Sequence, residues 1–240
     1  MTMRLAKMIA RSGVCSRREA DGLIKQGRVT VNGEIVDSPA FNIYGGEKIL
    51  LDGEKLPQVQ VTRLWLYHKP AGLVTSHKDE KNRPTVFNNL PANLPRVISV
   101  GRLDLNSEGL LLLTNNGELS RQLEMPSNGW VRRYKVRVFG NVNPNKLQSL
   151  QQGIVVDGIE YGSIKVDIEA KNGANTWLLV TLKEGKNREI RRVMKYLGLE
   201  VSRLIRLSYG PFQLGSLRKG EVKEISQKVL REQLGDKFKL

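Results

Sequence analysis

The residues with the most chemical character lie together in Val100-Gly-Arg-Leu-Asp-Leu-Asn-Ser-Glu-Gly-Leu-Leu-Leu-Leu-Thr114. Arg102 and Asp104 fall between two apolar runs, in a loop flanked by Gly101 and Gly109. A lone carboxylate beside an arginine can serve as nucleophile or base. With Glu108 it could form a glycosidase-like carboxylate pair. An Asp/Asn/Ser cluster between strands is also what an ordinary polar turn looks like, and the spacing leaves these readings open. A second segment, Lys183-Glu-Gly-Lys-Asn-Arg-Glu-Ile-Arg-Arg-Val-Met194, opens a helix after a strand. Ile190, Met194 and Leu197 fit its buried face, which leaves Arg188, Arg191, Arg192 and Lys195 to grip a carboxylate or phosphate, or to form a solvated basic face. A third, Arg132-Arg-Tyr-Lys-Val-Arg137, puts Tyr134 among cations, as base stacking with phosphate contacts requires or as an ordinary strand tyrosine would sit.

Composition narrows the partner. The 240 residues carry 39 Lys+Arg against 24 Asp+Glu, a net charge of +15. Such an excess speaks for a polyanion, since neutralising phosphates releases counterions. The charge is clustered at residues 1–33, 132–137 and 183–206, which suggests a binding footprint rather than general solubility. Cys15 is the only cysteine and His68 and His77 the only histidines, which excludes a disulfide framework and a multi-Cys or His-rich metal site. There is no GxxxxGKS/T loop, no GxGxxG after a strand, no HExxH and no GxSxG, so no cofactor and no metal are expected. No apolar run approaches the roughly 20 residues that span a bilayer and no signal peptide is apparent, so the expectation is a soluble, cytoplasmic protein without membrane contact.

These segments need elements to hold them. Leu5, Met8 and Ile9 have helical spacing with Gly13 at the end, and Ser16 with Glu19 forms a capping box before a helix over Arg17–Gln26. Val29–Val31, Asn32-Gly33 and Glu34–Val36 read as a hairpin, as do Lys48–Leu51, Asp52-Gly53 and Glu54–Leu56. After a polar linker at 57–60, strands are expected at Leu64–His68, Ile98–Val100, Leu110–Thr114, Tyr134–Phe139, Ile164–Ile168, Trp177–Leu182 and Val201–Leu207. Helices fit Gly117–Glu124, Pro144–Gln151, Asn187–Leu197 and Ser226–Leu234. Strands and helices mix without regular βαβ alternation, which predicts an α+β fold with a mixed, mainly antiparallel sheet.

Gly101-Arg-Leu-Asp104 with Asn106-Ser-Glu-Gly-Leu-Leu-Leu-Leu-Thr114 closely resembles the signature of the RsuA-type pseudouridine synthases. In the same order stand Tyr67-His-Lys-Pro-Ala-Gly-Leu-Val-Thr-Ser76, Asn82-Arg-Pro-Thr-Val-Phe87, Arg133-Tyr-Lys-Val136 and Glu184-Gly-Lys-Asn-Arg-Glu-Ile-Arg-Arg192. Ser16-Arg-Arg-Glu-Ala20 and Gln26-Gly-Arg-Val-Thr-Val-Asn-Gly33 resemble an S4 RNA-binding domain. The resemblance implies an S4 domain (two helices and a small antiparallel sheet) over 3–60, a synthase domain over 62–234 and a flexible tail at 235–240. It implies uridine-to-pseudouridine isomerisation in RNA, with Asp104 as the essential aspartate and Tyr134 stacking on the flipped base. Arg191 would pair with Asp104, Arg102 would take the base's place in the RNA, and the basic islands at 132–137 and 183–206 would line the catalytic cleft. Arg4, Arg17, Arg18, Lys25, Arg28 and Asn32 of the S4 unit, with Lys186, Arg188 and Arg192, would contact RNA. The large-subunit members are the better match, which points to 23S ribosomal RNA, free or in a precursor particle, and to a monomer. A small-subunit (16S) enzyme and a non-catalytic S4 assembly protein are the alternatives. A methyltransferase or tRNA synthetase bearing an S4 domain is disfavoured, because the glycine-rich cofactor loop is absent from this sequence.

Overall fold

The computed structural model describes residues 2–235 and Phe238. Short β1 (Met3–Arg4) leads into α1 (Leu5–Arg11), and Gly13 at φ +87° turns the chain away. Ser16 Oγ accepts the Glu19 N–H at 3.2 Å while the Glu19 carboxylate takes the Ser16 N–H at 2.8 Å. This capping box starts α2 (Arg17–Lys25). Then come β2 (Val29–Val31), β3 (Glu34–Val36), β4 (Asn42–Ile43), β5 (Ile49–Leu51) and β6 (Glu54–Lys55). The order β3-β2-β5-β6 makes an antiparallel sheet, and β4 pairs with β1. Asn32 and Gly33 (φ 53° and 92°) and Asp52 and Gly53 (φ 52° and 83°) adopt the left-handed pairs that match hairpin twist. Leu5, Ile9, Ala20, Ile24 and Val29 form this unit's own core. Arg11 ties it to the rest, donating to Thr62 Oγ1 at 2.9 Å and the Asn115 carbonyl at 3.2 Å.

Residues 57–63 lie outside helix and strand. The remainder comprises β7 (Leu64–Lys69), β8 (Ile98–Val100), β9 (Glu108–Thr114), α3 (Gly117–Glu124), β10 (Arg132–Phe139), α4 (Pro144–Ser149), β11 (Ile154–Val156), β12 (Ile159–Tyr161), β13 (Ile164–Asn172), β14 (Asn175–Leu182), α5 (Glu189–Tyr196), β15 (Glu200–Tyr209), β16 (Phe212–Gln213), β17 (Val222–Ile225) and α6 (Gln227–Leu234). One sheet runs β13-β14-β10-β15-β9-β7-β17, with β8 on β9 and β16 on β15. Every pairing in it is antiparallel except β9 with β15, where Glu108 faces Ile205 and Gly109 faces Arg206. The mixed, mainly antiparallel α+β expectation describes this architecture.

Side-chain alternation assigns the sheet's faces. Tyr134, Val136 and Val138 of β10 and Leu178 and Val180 of β14 pack with Leu147 of α4 and Val193 and Met194 of α5. Leu204 joins that core, while its neighbours Ile205 and Leu207 turn to the opposite core of Leu110, Leu112, Leu119, Leu123 and Leu230. Strand β9 is buried on both faces, because Leu111 and Leu113 meet Trp65, Tyr67, Val86 and Leu103.

Some elements differ from expectation. The α5 helix begins at Glu189 rather than Asn187, because Arg188 sits at φ 51°, a left-handed conformation that cannot continue a helix. The helix from Pro144 closes at Ser149 and ends in a 3₁₀ turn over Leu150–Gln152. The β11–β12 hairpin and strand β17 were not expected, although Asp157-Gly158 is a hairpin turn pair. Of the tail placed at 235–240, residues 236, 237, 239 and 240 lie outside the described residues. Phe238 packs against the α3/α6 core, its ring 6.0 Å from that of Trp130.

Candidate active site

The loop between β8 and β9 carries Asp104, and a buried lysine holds it from below. Lys69, at the end of β7, is fully buried. Its Nζ donates to the carbonyls of Ser107 (2.9 Å), Pro70 (3.0 Å), Asp104 (3.1 Å) and Leu105 (3.4 Å). Burial pushes the ammonium down to about 8, against the pull of Asp104 and Glu108. Thr75 Oγ donates to the Leu103 carbonyl at 2.9 Å and Gly72 N–H to that of Leu105 at 2.7 Å, so the 67–76 segment is the loop's scaffold. Gly109 follows at φ +103°, and a Cβ there would sit 2.3 Å from the Arg206 carbonyl oxygen. Glycine is therefore what lets β15 approach the base of the loop.

Above Asp104 is a cleft of about 460 Å³, lined by Arg102, Asp104, Arg132, Tyr134, Lys186, Arg188, Arg191 and Arg206 among others. The expected trio of Asp104, Tyr134 and Arg191 does share this cleft. The guanidinium that reaches Asp104 is that of Arg188, 3.7 Å from Oδ2. Arg191 instead donates to the carbonyls of Asn106 (2.9 Å) and Val201 (3.1 Å), bracing the loop against β15. Burial lowers its pKa, Arg188 adds to that, and Asp104 opposes it. Tyr134 is buried with its β10 neighbours yet contributes to the cleft wall. Arg102 is exposed at the rim. Lys186 donates to the Glu160 carbonyl at 2.6 Å and pairs with Glu184 at 2.9 Å. Arg192 is half-buried and does not line the cleft.

Two expectations about charge are corrected. Glu108 is not the second member of a carboxylate pair. Arg203 (2.8 and 3.1 Å) and Lys219 (2.7 Å) hold it outside the cleft lining, and they depress its carboxyl to about 2. The 132–137 island does not enter the cleft as a block. Strand alternation sends Arg132 and Tyr134 inward and Arg133, Lys135 and Arg137 to the other face.

In the S4 unit, Arg17, Arg18 and Lys25 are exposed on α2. Arg28 is engaged bidentately by Asp52 at 2.8 and 2.5 Å. Asn32 Oδ1 accepts the Lys48 N–H at 2.9 Å, which makes it a turn residue, and Arg4 donates to the Ala40 carbonyl.

Several contributors escaped the sequence reading. Arg206, 4% exposed, donates Nε–H to the Leu110 carbonyl at 2.7 Å. The Tyr209 ring lies 4.6 Å from the Arg132 guanidinium and 5.2 Å from that of Arg206. Glu189 takes the Lys186 N–H at 2.9 Å and fixes the turn before α5, and burial raises its carboxyl pKa. Lys69 had a signal, inside Tyr67-His-Lys-Pro-Ala-Gly-Leu73, and so did Glu189, inside Glu184-Gly-Lys-Asn-Arg-Glu-Ile-Arg-Arg192. Arg206 and Tyr209 are isolated residues whose roles come from neighbours distant in sequence. Together the cleft offers the Asp104 carboxylate against a guanidinium, an aromatic wall and a cationic rim, while its two other carboxylates accept from neighbours, Glu124 from Ser120 Oγ at 2.7 Å and Glu189 from the Lys186 N–H. That arrangement suits acid–base or nucleophilic work on a polyanionic substrate.

The family model described as RNA pseudouridylate synthase matches residues 63–196, and that of the S4 domain matches residues 3–49. An uncharacterized RNA pseudouridine synthase of Rickettsia typhi is 49% identical over 235 residues, 98% of this chain and 96% of its own. Ribosomal large subunit pseudouridine synthase B of Salmonella typhi is 41% identical over 220 residues, 89% of this chain and 76% of its own. A crystal structure of a pseudouridylate synthase superposes with a TM-score of 0.66 at 29% identity, covering 96% of this chain and 99% of that one.

Proposed function

The chain belongs to the RNA pseudouridylate synthase family, joined to an S4 domain, and from that premise we propose that it converts a uridine of 23S ribosomal RNA to pseudouridine, with Asp104 as the catalytic carboxylate. The observation that carries this reading is the Asp104 carboxylate in a cleft walled by Tyr134 and rimmed by Arg102 and Arg188. The preference for 23S over 16S rRNA rests on the likeness to ribosomal large subunit pseudouridine synthase B.

The reaction breaks the N1–C1′ glycosidic bond, turns the uracil and forms a C5–C1′ bond. C5 loses its proton and N1 gains one, so the atoms balance without oxidant or reductant. Asp104 attacks C1′ or removes a sugar proton, and either role needs the anion, for which Arg188 supplies a counter-charge. A stacked or paired base must first leave the RNA, at a cost of a few kcal/mol. Tyr134 would offset part of that by stacking on the extruded uracil, and Arg102 by filling the space it leaves. Lys69 and Arg191 hold the loop so that the carboxylate does not shift between binding and bond-breaking.

The test is to incubate the protein with 23S and with 16S rRNA transcripts and to map pseudouridine by carbodiimide-dependent primer extension. A stop in the 23S transcript alone is expected. A stop in the 16S transcript alone would make it a small-subunit enzyme. Tight binding without product on either transcript or on assembly intermediates would make it a non-catalytic RNA-binding protein.

A further inference from the structure

Half of the large sheet has one bare face. Strands β10 and β14 are covered on the cleft side by α4 and α5, whose Leu147, Val193 and Met194 pack on Val136, Leu178 and Val180. On the other side, Trp177 and Leu179 of β14 belong to none of the four cores, and both are partly exposed. Facing them on β10 stand the cations that alternation turned away from the cleft. Arg133 is opposite Thr181, Lys135 opposite Leu179, and Arg137 opposite Trp177. Residues two apart on a strand lie about 7 Å from each other, so the three make an evenly spaced basic row.

The aromatic and the cations are in contact. Lys135 Nζ lies 5.2 Å from the centroid of the Trp177 ring and the Arg137 guanidinium 5.8 Å. Of the carboxylates near this face, Glu200, opposite Phe139 at the end of β10, has no ion pair among the described residues, and the others are taken up by cations. Glu169 takes Lys135 at 2.6 Å, Asp167 is shared with Lys165 at 3.3 Å, and Glu108 is spent on Arg203 and Lys219. Arg137 donates only to Ser202 Oγ at 2.9 Å, and Arg133 is exposed with no ion pair among the described residues. An open sheet face with a partly exposed tryptophan beside cations is the arrangement on which single-stranded bases stack while phosphates meet arginine and lysine. A protein partner would be offered a surface rich in unpaired arginine, whereas this chain's net +15 favours a polyanion.

We propose that this face, centred on Trp177, Arg133 and Arg137, is a second RNA-contact surface that binds a single-stranded segment of the substrate RNA away from the modified uridine. The inference rests on the RNA substrate but not on the identity of the target or on Asp104. It explains why the basic island at 132–137 is split. One strand grips RNA on both faces, with Tyr134 at the reacting base and its neighbours at a distant segment.

The test compares the full chain with R133Q/R137Q and with W177A, using W177F to separate stacking from packing. Two RNAs serve, the complete 23S transcript and a short hairpin carrying the mapped uridine. R133Q/R137Q should bind the 23S transcript roughly tenfold more weakly, and its log–log salt dependence should flatten by about 1.4, as for two lost single-strand phosphate contacts. W177A should lose roughly fivefold or more while W177F stays near wild type. Hairpin binding and turnover should not change for any of them, and a hairpin that is not modified by wild type would count against the proposed function rather than this face. Unchanged affinity and salt slope on the 23S transcript would overturn the inference. So would loss of a ribosomal protein from R133Q/R137Q pull-downs with RNA affinity intact, which would make the face a protein-binding one.

Discussion

Replacing Lys69 with methionine separates two properties that usually fail together. The ammonium is fully buried and gives hydrogen bonds to four carbonyls, three of them in the Asp104 loop. Asp104 and Leu105 keep backbone donors from Ser107 and Gly72, so the loss in K69M falls mainly on Pro70 and Ser107. Each acceptor left without a donor costs about 1–3 kcal/mol. Against that, holding the ammonium in a site that lowers it from 10.5 to about 8 costs about 3 kcal/mol at neutral pH, which methionine removes. The terms nearly cancel, so K69M should unfold in urea within a few kcal/mol of wild type. The loop, however, loses the group that gathers its carbonyls, and a shift of about 1 Å in Asp104 lowers turnover roughly a hundredfold. The pH dependence carries a second signature. Between about pH 8 and 10.5 the unfolded chain retains a proton that folded Lys69 has released, so wild-type stability gains up to about 3 kcal/mol from this site as pH rises. K69M lacks that gain. Urea denaturation at pH 7.5 and 10, with single-turnover rates at pH 7.5, checks both. Wild-type turnover in K69M, or an identical pH slope in the two proteins, would refute the reasoning.

Other outcomes follow from the same geometry. Glu108 is held near 2 by Arg203 and then Lys219, so its contribution is complete above its ordinary 4.5 and drains away as pH falls toward 2; E108Q should lose part of the wild type's acid-side slope in thermal melts. G109A should fail to fold or melt far below wild type, since its Cβ meets the Arg206 backbone at 2.3 Å and its φ is left-handed; a melt within a few degrees of wild type would contradict the close approach of β15. R17Q/R18Q should weaken RNA binding and flatten its salt dependence while leaving turnover at saturating RNA intact. R28Q should do less, because Asp52 already occupies that guanidinium, and filter binding across a salt series distinguishes the two.

What the sequence revealed was mostly local. The capping box at Ser16 and Glu19, the Asn32-Gly33 turn and the apolar run through Leu113 each encode their element within a few residues, and the structure has each of them. The grouping of Asp104, Tyr134 and Arg191 was readable only through the resemblance of their three segments to the RsuA-type synthases, since the residue types alone also fit a polar turn, a strand tyrosine and a solvated basic face. The rest depended on neighbours distant in sequence. Lys69 reads as the polar end of a strand until β7 is placed under a loop 35 residues later. Arg206 looks like one more basic residue until the parallel pairing with β9 brings it to Gly109. Arg188 falls in a helical pattern, and only its left-handed backbone starts the helix two residues late and frees its side chain to meet Asp104. The island at 132–137 misled because charge density counts residues without regard to which face of a strand they occupy.

On the proposed function, the Asp104 carboxylate performs the chemistry. Substitution of that group by an amide of the same shape tests it most directly. Under single-turnover conditions with excess protein on 23S rRNA, D104N should bind within about threefold of wild type and form no pseudouridine by carbodiimide mapping. Pseudouridine appearing at the wild-type rate in D104N would contradict the account.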